Sequence, residues 1–224
     1  MGDAIGQMLA SAVGIAISPL PIIAVILMLA TPHGRANGLA FTTGWLVSLA
    51  LVVTVVLLIG SGAAASSGAP VGWTLWLKLA LGLLFLALGA KQCHDRPRAG
   101  QPTSEPGWMQ AIDQFTPTKS AGLAAALAVA NPKNLVLAVG GAVSIAGTGA
   151  TDGAQAVAAA LLVLIGSLCV LLPLGVYLVG GPRSAHALAD WKGWMAAHNT
   201  AIMTVLLLVL GAKYAGDALS GLTS

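Results

Sequence analysis

Residues 121–145 read AGLAAALAVANPKNLVLAVGGAVSI. The run is long enough to cross a bilayer, which takes about 20 residues, yet Asn131-Pro132-Lys133-Asn134 interrupts it at its centre. A lysine in that position costs roughly 2.5–3.5 kcal/mol on insertion scales. Proline has no amide proton and clashes with the preceding turn. Asparagine directly before proline is the pattern of an N-cap followed by proline at the first helical position. The tetrapeptide therefore predicts a helix that stops near Val129 and restarts at Pro132, leaving free amides and a lysine deep in the membrane. The simpler alternative is a proline kink whose lysine snorkels to an interface. Apolar sequence on both sides of Lys133 makes that route awkward.

The rest of the chain fits a membrane setting. It is 57% hydrophobic and only 8% charged, against about 25% charged in soluble domains. Six spans are predicted, at 5–30, 37–61, 72–91, 119–147, 154–181 and 196–217, with one sizeable polar segment between the third and fourth. The N-terminus carries no basic residue before its apolar run, so a cleaved signal peptide is not expected. Arg35, Lys91, Arg96, Arg98, Lys119, Arg183 and Lys192, seven of the ten basic residues, fall on one side of this arrangement. The positive-inside rule makes that side cytoplasmic and puts both termini outside. No aromatic or motif pattern accompanies the basic loops, so nucleic-acid binding is not expected. Cys93 and Cys169 form neither a Cys-x-x-Cys motif nor a plausible disulfide.

A second break, Ser18-Pro19-Leu20-Pro21, occupies the same place in span 1 as Asn131-Pro132 in span 4. Span 3 follows Trp73 and Trp76 and ends in Leu88-Gly89-Ala90-Lys91, while span 6 follows Trp191 and Trp194 and ends in Leu210-Gly211-Ala212-Lys213. These echoes predict two three-helix repeats, 1–92 and 119–224, joined by a cytoplasmic linker, 93–118. An odd number of spans per half makes the repeat inverted. The fold class expected is thus all-α and integral to the membrane, with helices 1 and 4 broken. A short amphipathic piece at 107–115 is expected on the cytoplasmic surface. Thr42, Gly44, Ser48, Gly166, Ser167 and Gly175 are read as packing residues, and such Gly-rich faces permit a homodimer.

Inverted repeats with broken helices are a transporter arrangement, with substrate near the midplane where half-helix N-termini point. Both restarts would aim positive dipole ends inward, and Lys133 adds a full charge. Such a site suits a phosphate, sulfate or carboxylate. The predicted spans are read as free of Asp and Glu, which argues against a divalent-metal site. His33, His94, His186 and His198 lack metal-ligand spacing, and no Ser/His/Asp set or phosphate loop is recognisable. Neither enzyme activity, nor a metal, nor a cofactor is expected. Lys78 is read as snorkelling to the outer interface.

Ser-Pro-Leu-Pro in span 1, Asn-Pro-Lys-Asn in span 4 and three-plus-three spans around a variable loop resemble the LysE superfamily of exporters. Within it the chain most resembles the GAP family, peptidoglycolipid-addressing proteins of bacteria with mycolate-rich envelopes. The resemblance covers essentially the whole chain, and Asn131-Pro132-Lys133-Asn134 is its most specific part. It implies a plasma-membrane protein that moves glycolipids or related envelope lipids outward. The expected substrate site comprises Ser18, Pro19, Pro21, Asn131, Pro132, Lys133 and Asn134. Lys133 would neutralise an anionic head group, and Asn131 and Asn134 would donate hydrogen bonds. Export of amino acids or other small solutes, and an accessory role beside an envelope lipid export machinery, are the alternatives.

Overall fold

A computed structural model of the chain describes residues 2–67, 71–94 and 114–223. Among these residues the secondary structure is helical, with no strand. Helix α1 (Gly2–Ala16) is followed by α2 (Pro19–Leu29), α3 (Gly34–Ser67) and α4 (Val71–His94). After the linker come α5 (Pro117–Val129), α6 (Pro132–Ala146), α7 (Asp152–Gly166) and α8 (Leu168–Gly180). A 3-10 turn, Gly181–Arg183, leads into α9 (Ser184–Thr223). The amphipathic piece expected at 107–115 lies almost entirely outside the described residues, as does most of the linker.

Three helices, α3, α4 and α9, are long and apolar enough to cross a membrane alone. Three further spans arise if each bent pair counts as one: α1–α2 bent by 49°, α5–α6 by 64° and α7–α8 by 56°. The first two breaks fall where proline follows a polar residue, with Ser18 and Asn131 in extended conformation ahead of Pro19 and Pro132. The third departs from expectation, since the sequence pattern predicts a continuous span 5. It falls at Gly166-Ser167, where a Gly/Ser pair weakens the ladder, and Pro173 one turn on withholds a hydrogen bond from the Cys169 carbonyl. The backbone stays bonded through the bend, Leu171 donating its amide proton to the Ser167 carbonyl at 2.9 Å.

One further boundary, and the expectation of acid-free spans, need correction. The polar stretch before span 6 is not a loop but the start of α9, which runs unbroken from Ser184 to Thr223. Asp217 lies within that helix, so the spans are not free of acid. Lys213, one turn earlier, pairs with it at 2.6 Å.

Helix α2 is buried along nearly its whole length, from Pro19 to Leu29, and forms the axis of the core. An all-round apolar helix of this kind finds its stable place only inside a bundle. Around it α1 packs against α6 and α7, α3 against α5, and α4 against α9. The α4–α9 contact is made by small residues. A Cβ on Gly82 would lie 2.6 Å from the Ala215 amide nitrogen, and one on Gly211 would lie 2.8 Å from Leu86. Close approach of this sort, rather than a hydrophobic driving force, holds helices together in lipid.

Candidate functional site

The tetrapeptide caps two helices at once. The Asn131 side-chain oxygen accepts from the Lys133 amide at 3.1 Å, which caps the start of α6. The Asn134 side-chain amide donates to the Leu127 carbonyl at 3.1 Å. That carbonyl belongs to the last turn of α5, where the intrahelical partner is missing. The break's own side chains thus satisfy one amide of α6 and one carbonyl of α5.

Ser18 occupies the N-cap position of α2 but its hydroxyl makes no cap. It reaches across to the other break instead. Lys133 Nζ donates to Ser18 Oγ at 2.5 Å, and the Ser18 hydroxyl donates to Asn134 Oδ1 at 2.7 Å. A single chain of hydrogen bonds thus runs from Lys133 through Ser18 and Asn134 to the end of α5. All three side chains are buried, Lys133 at 4% exposure. Among the described residues no carboxylate is paired with Lys133. The Cys169 thiol, at the start of α8 and also buried, is a neighbour of Lys133.

An ammonium has three protons to donate, and Ser18 takes one of those on Lys133. A buried, unpaired charge is costly. The amides that could assist are fewer than the two breaks suggested. At the head of α2, Pro19 and Pro21 have no amide proton and the Ser18 amide bonds the Ile15 carbonyl at 3.1 Å, leaving Leu20. At the head of α6, Pro132 has none and Asn131 caps Lys133, leaving the amides of Asn131 and Asn134.

Of the seven residues expected at the site, Ser18, Lys133 and Asn134 come into direct contact. Asn131 serves the helix start, and Pro19 and Pro21 are buried in α2 without a polar role. Pro132 sets the restart. The Asn134 amide expected to donate to substrate is already engaged with Leu127. The third break is absent from the sequence-based expectation. Ser167 is fully buried there and its hydroxyl has no partner, and Cys169 follows two residues later. A Gly-Ser pair in an apolar run was the available signal.

Two cavities lie between neighbouring helices, and neither is lined by Ser18, Lys133 or Asn134. One, of about 890 Å³, runs between α3 and α7 from Leu46 and Leu164 to Leu58 and Asp152. The other, of about 220 Å³, lies between α2, α8 and the start of α9, with Tyr177 and Lys192 in its wall. Residues 8–220 match the family described as SfLAP: Sap, sulfolipid-1-addressing protein. No curated protein and no solved structure matches the chain.

Proposed function

The chain belongs to the sulfolipid-1-addressing protein family, and on that premise we propose that it carries anionic envelope lipids or glycolipids across the plasma membrane. The head group is taken at the breaks, with Lys133 as its counter-charge. The observation that carries this reading is a buried lysine, held by a serine 115 residues away, with no carboxylate paired to it among the described residues. A structural lysine would be expected to bring its own acid, as Lys213 does in Asp217.

In this reading the chain is a pair of inverted repeats, 1–92 and 119–224, joined by the linker 93–118, as in the GAP branch of the LysE superfamily. The packing supports it. Exchanging the halves maps α3 against α5 onto α7 against α1, and α3 against α6 onto α8 against α2, and all four contacts occur. The contact of α4 with α9 maps onto itself. Substrate would approach by the small cavity on the side of Lys192 and leave on the side of Asp152. The protein acts without chemistry on its cargo and without a metal or cofactor.

The test is leaflet transfer in liposomes, using fluorescent phosphatidylglycerol and phosphatidylcholine with a membrane-impermeant quencher. Wild type is expected to move the anionic lipid preferentially. Lys133→Ala should reduce that transfer at least about tenfold, the low end of what a charge-assisted hydrogen bond contributes, while inserting normally. Equal transfer by wild type and variant would sink the site, and no transfer by either would favour an accessory role beside an export machine.

A further inference from the structure

We propose that the seam between α1 and α6 is the outward half of the head-group path, with Ser11, Tyr214, Ser144 and Gln7 as its hydrogen-bonding stations beyond Lys133. This rests on the transport reading above. The cargo it fits is a lipid head group that carries hydroxyls as well as an anionic group.

Three contacts fix the register of the seam. Ser18, just past the end of α1, donates to Asn134 at 2.7 Å. A Cβ on Gly14 would lie 3.0 Å from Leu137 and from Leu210 of α9, and one on Gly141 would lie 3.0 Å from the Ser11 Cβ. Residues 18, 14 and 11 thus face 134, 137 and 141, in the steps of three and four that keep one helix face turned to its neighbour. The next layer in that register pairs Gln7 with Ser144. From residue 18 to residue 7 is about 16 Å of helix at 1.5 Å per residue, close to half of a ~30 Å hydrocarbon core. The seam therefore runs from the breaks to the face where α1 begins and α6 ends.

Three of its four layers are polar. Small residues suffice for helices to meet in lipid, so packing alone does not call for them. In the third layer the Ser11 hydroxyl bonds that of Tyr214, which reaches in from α9. In the fourth, Gln7 Oε1 and Ser144 Oγ are buried and have no hydrogen-bond partner among the described residues; Ser144 is only 1% exposed. The register that places Ser18 on Asn131 also places Gln7 on Ser120 and Thr31 on Ser144. At that other end both hydroxyls are bonded, Ser120 donating to the Thr116 carbonyl at 3.0 Å and Thr31 to the Met28 carbonyl at 2.7 Å. Unmet polar atoms are costly to bury, and a head group passing between α1 and α6 would meet those of Gln7 and Ser144. Hydroxyls donate to anionic oxygens, and the Gln7 side-chain carbonyl accepts from a sugar or glycerol hydroxyl. None of these stations is charged, so the head group leaves its counter-charge at Lys133 and is not trapped on the way out. The one apolar layer, where Leu137 and Leu210 close on Gly14, shuts the seam in this conformation.

The test is a lock across the seam. In a Cys93→Ser background, Ser11→Cys with Gly141→Cys places two Cβ atoms 3.0 Å apart, a small shift from the ~3.8 Å of a disulfide. Once peptide mapping shows the bridge, oxidation should stop leaflet transfer of fluorescent phosphatidylglycerol, whose head group carries a phosphate and hydroxyls. Dithiothreitol should restore it. Ser144→Ala removes only an unbonded hydroxyl. It should slow transfer roughly fivefold, the worth of one neutral hydrogen bond, while unfolding no earlier than wild type. A purely structural serine would do the reverse. Equal transfer by the bridged and reduced protein overturns the proposal, as does transfer by Ser144→Ala at the wild-type rate. Should the bridge not form, or the paired-cysteine protein transfer in neither state, Ser144→Ala decides. A bridged protein that transfers normally, beside a Lys133→Ala variant that does not, removes the seam and leaves the head-group site. Normal transfer by Lys133→Ala removes the site and the path that leads from it.

Discussion

At the scale of the residue, Ser18 does two jobs with one hydroxyl, accepting from Lys133 and donating to Asn134. Ser18→Ala is expected to destabilise the protein by about 1–3 kcal/mol, the cost of leaving buried polar partners unmet. Titration of unfolding in mixed detergent micelles would read this directly. The variant should also lower anionic-lipid transfer, since Lys133 loses its anchor. Tyr214 is a second such junction. Its hydroxyl bonds to Ser11 of α1, and its ring leaves room for no side chain on Gly140 of α6, whose Cβ would lie 2.5 Å from the hydroxyl oxygen. Gly140→Val should therefore unfold at lower detergent concentration than Gly140→Ala, and both below wild type. Lys133 and Ser18 were each legible in the sequence, because a charge and a polar-proline pair stand out against an apolar run. Their meeting was not, since nothing local relates two residues so far apart. Cys169 was invisible as a neighbour of Lys133 for the same reason.

At the scale of the element, the breaks do different physical work. Those at Ser18 and Asn131 are imposed by proline and could be read to within a residue, because proline's missing amide and fixed geometry act locally. The break at Gly166-Ser167 has no proline at its restart, and the Gly/Ser pair with Pro173 inside α8 is a fainter signal than a polar residue directly before proline. Pattern reading therefore shows a single span. The start of α9 escapes it for a related reason, since its polar first turns are continued by helix rather than by turn residues. Asn131→Ala should cost about 1 kcal/mol, the worth of a cap. Pro132→Ala should do something else. With the steric block gone, α5 and α6 can straighten, drawing Lys133 and Asn134 away from Ser18. Spin labels placed at Gly122 and Val139 should then move apart, and transfer should fail although the protein still inserts.

At the scale of the molecule, orientation can be read with a cysteine already present. Cys93 is exposed at the end of α4, and Cys169 is buried. A membrane-impermeant maleimide should label Cys93 only after cells are opened. In a Cys93→Ser background, Thr148→Cys should be labelled on intact cells. Opposite results would invert the molecule. The buried bond between Lys133 and Ser18 has a further consequence, which concerns the order of synthesis. The N-terminal half leaves the ribosome first, so Ser18 is already in the membrane when α5 and α6 arrive with their lysine. A fragment of residues 114–224 made alone has no such partner waiting. It should insert poorly and be degraded, and co-expression of residues 1–94 should rescue it. The first half would then act as an intramolecular chaperone for the second.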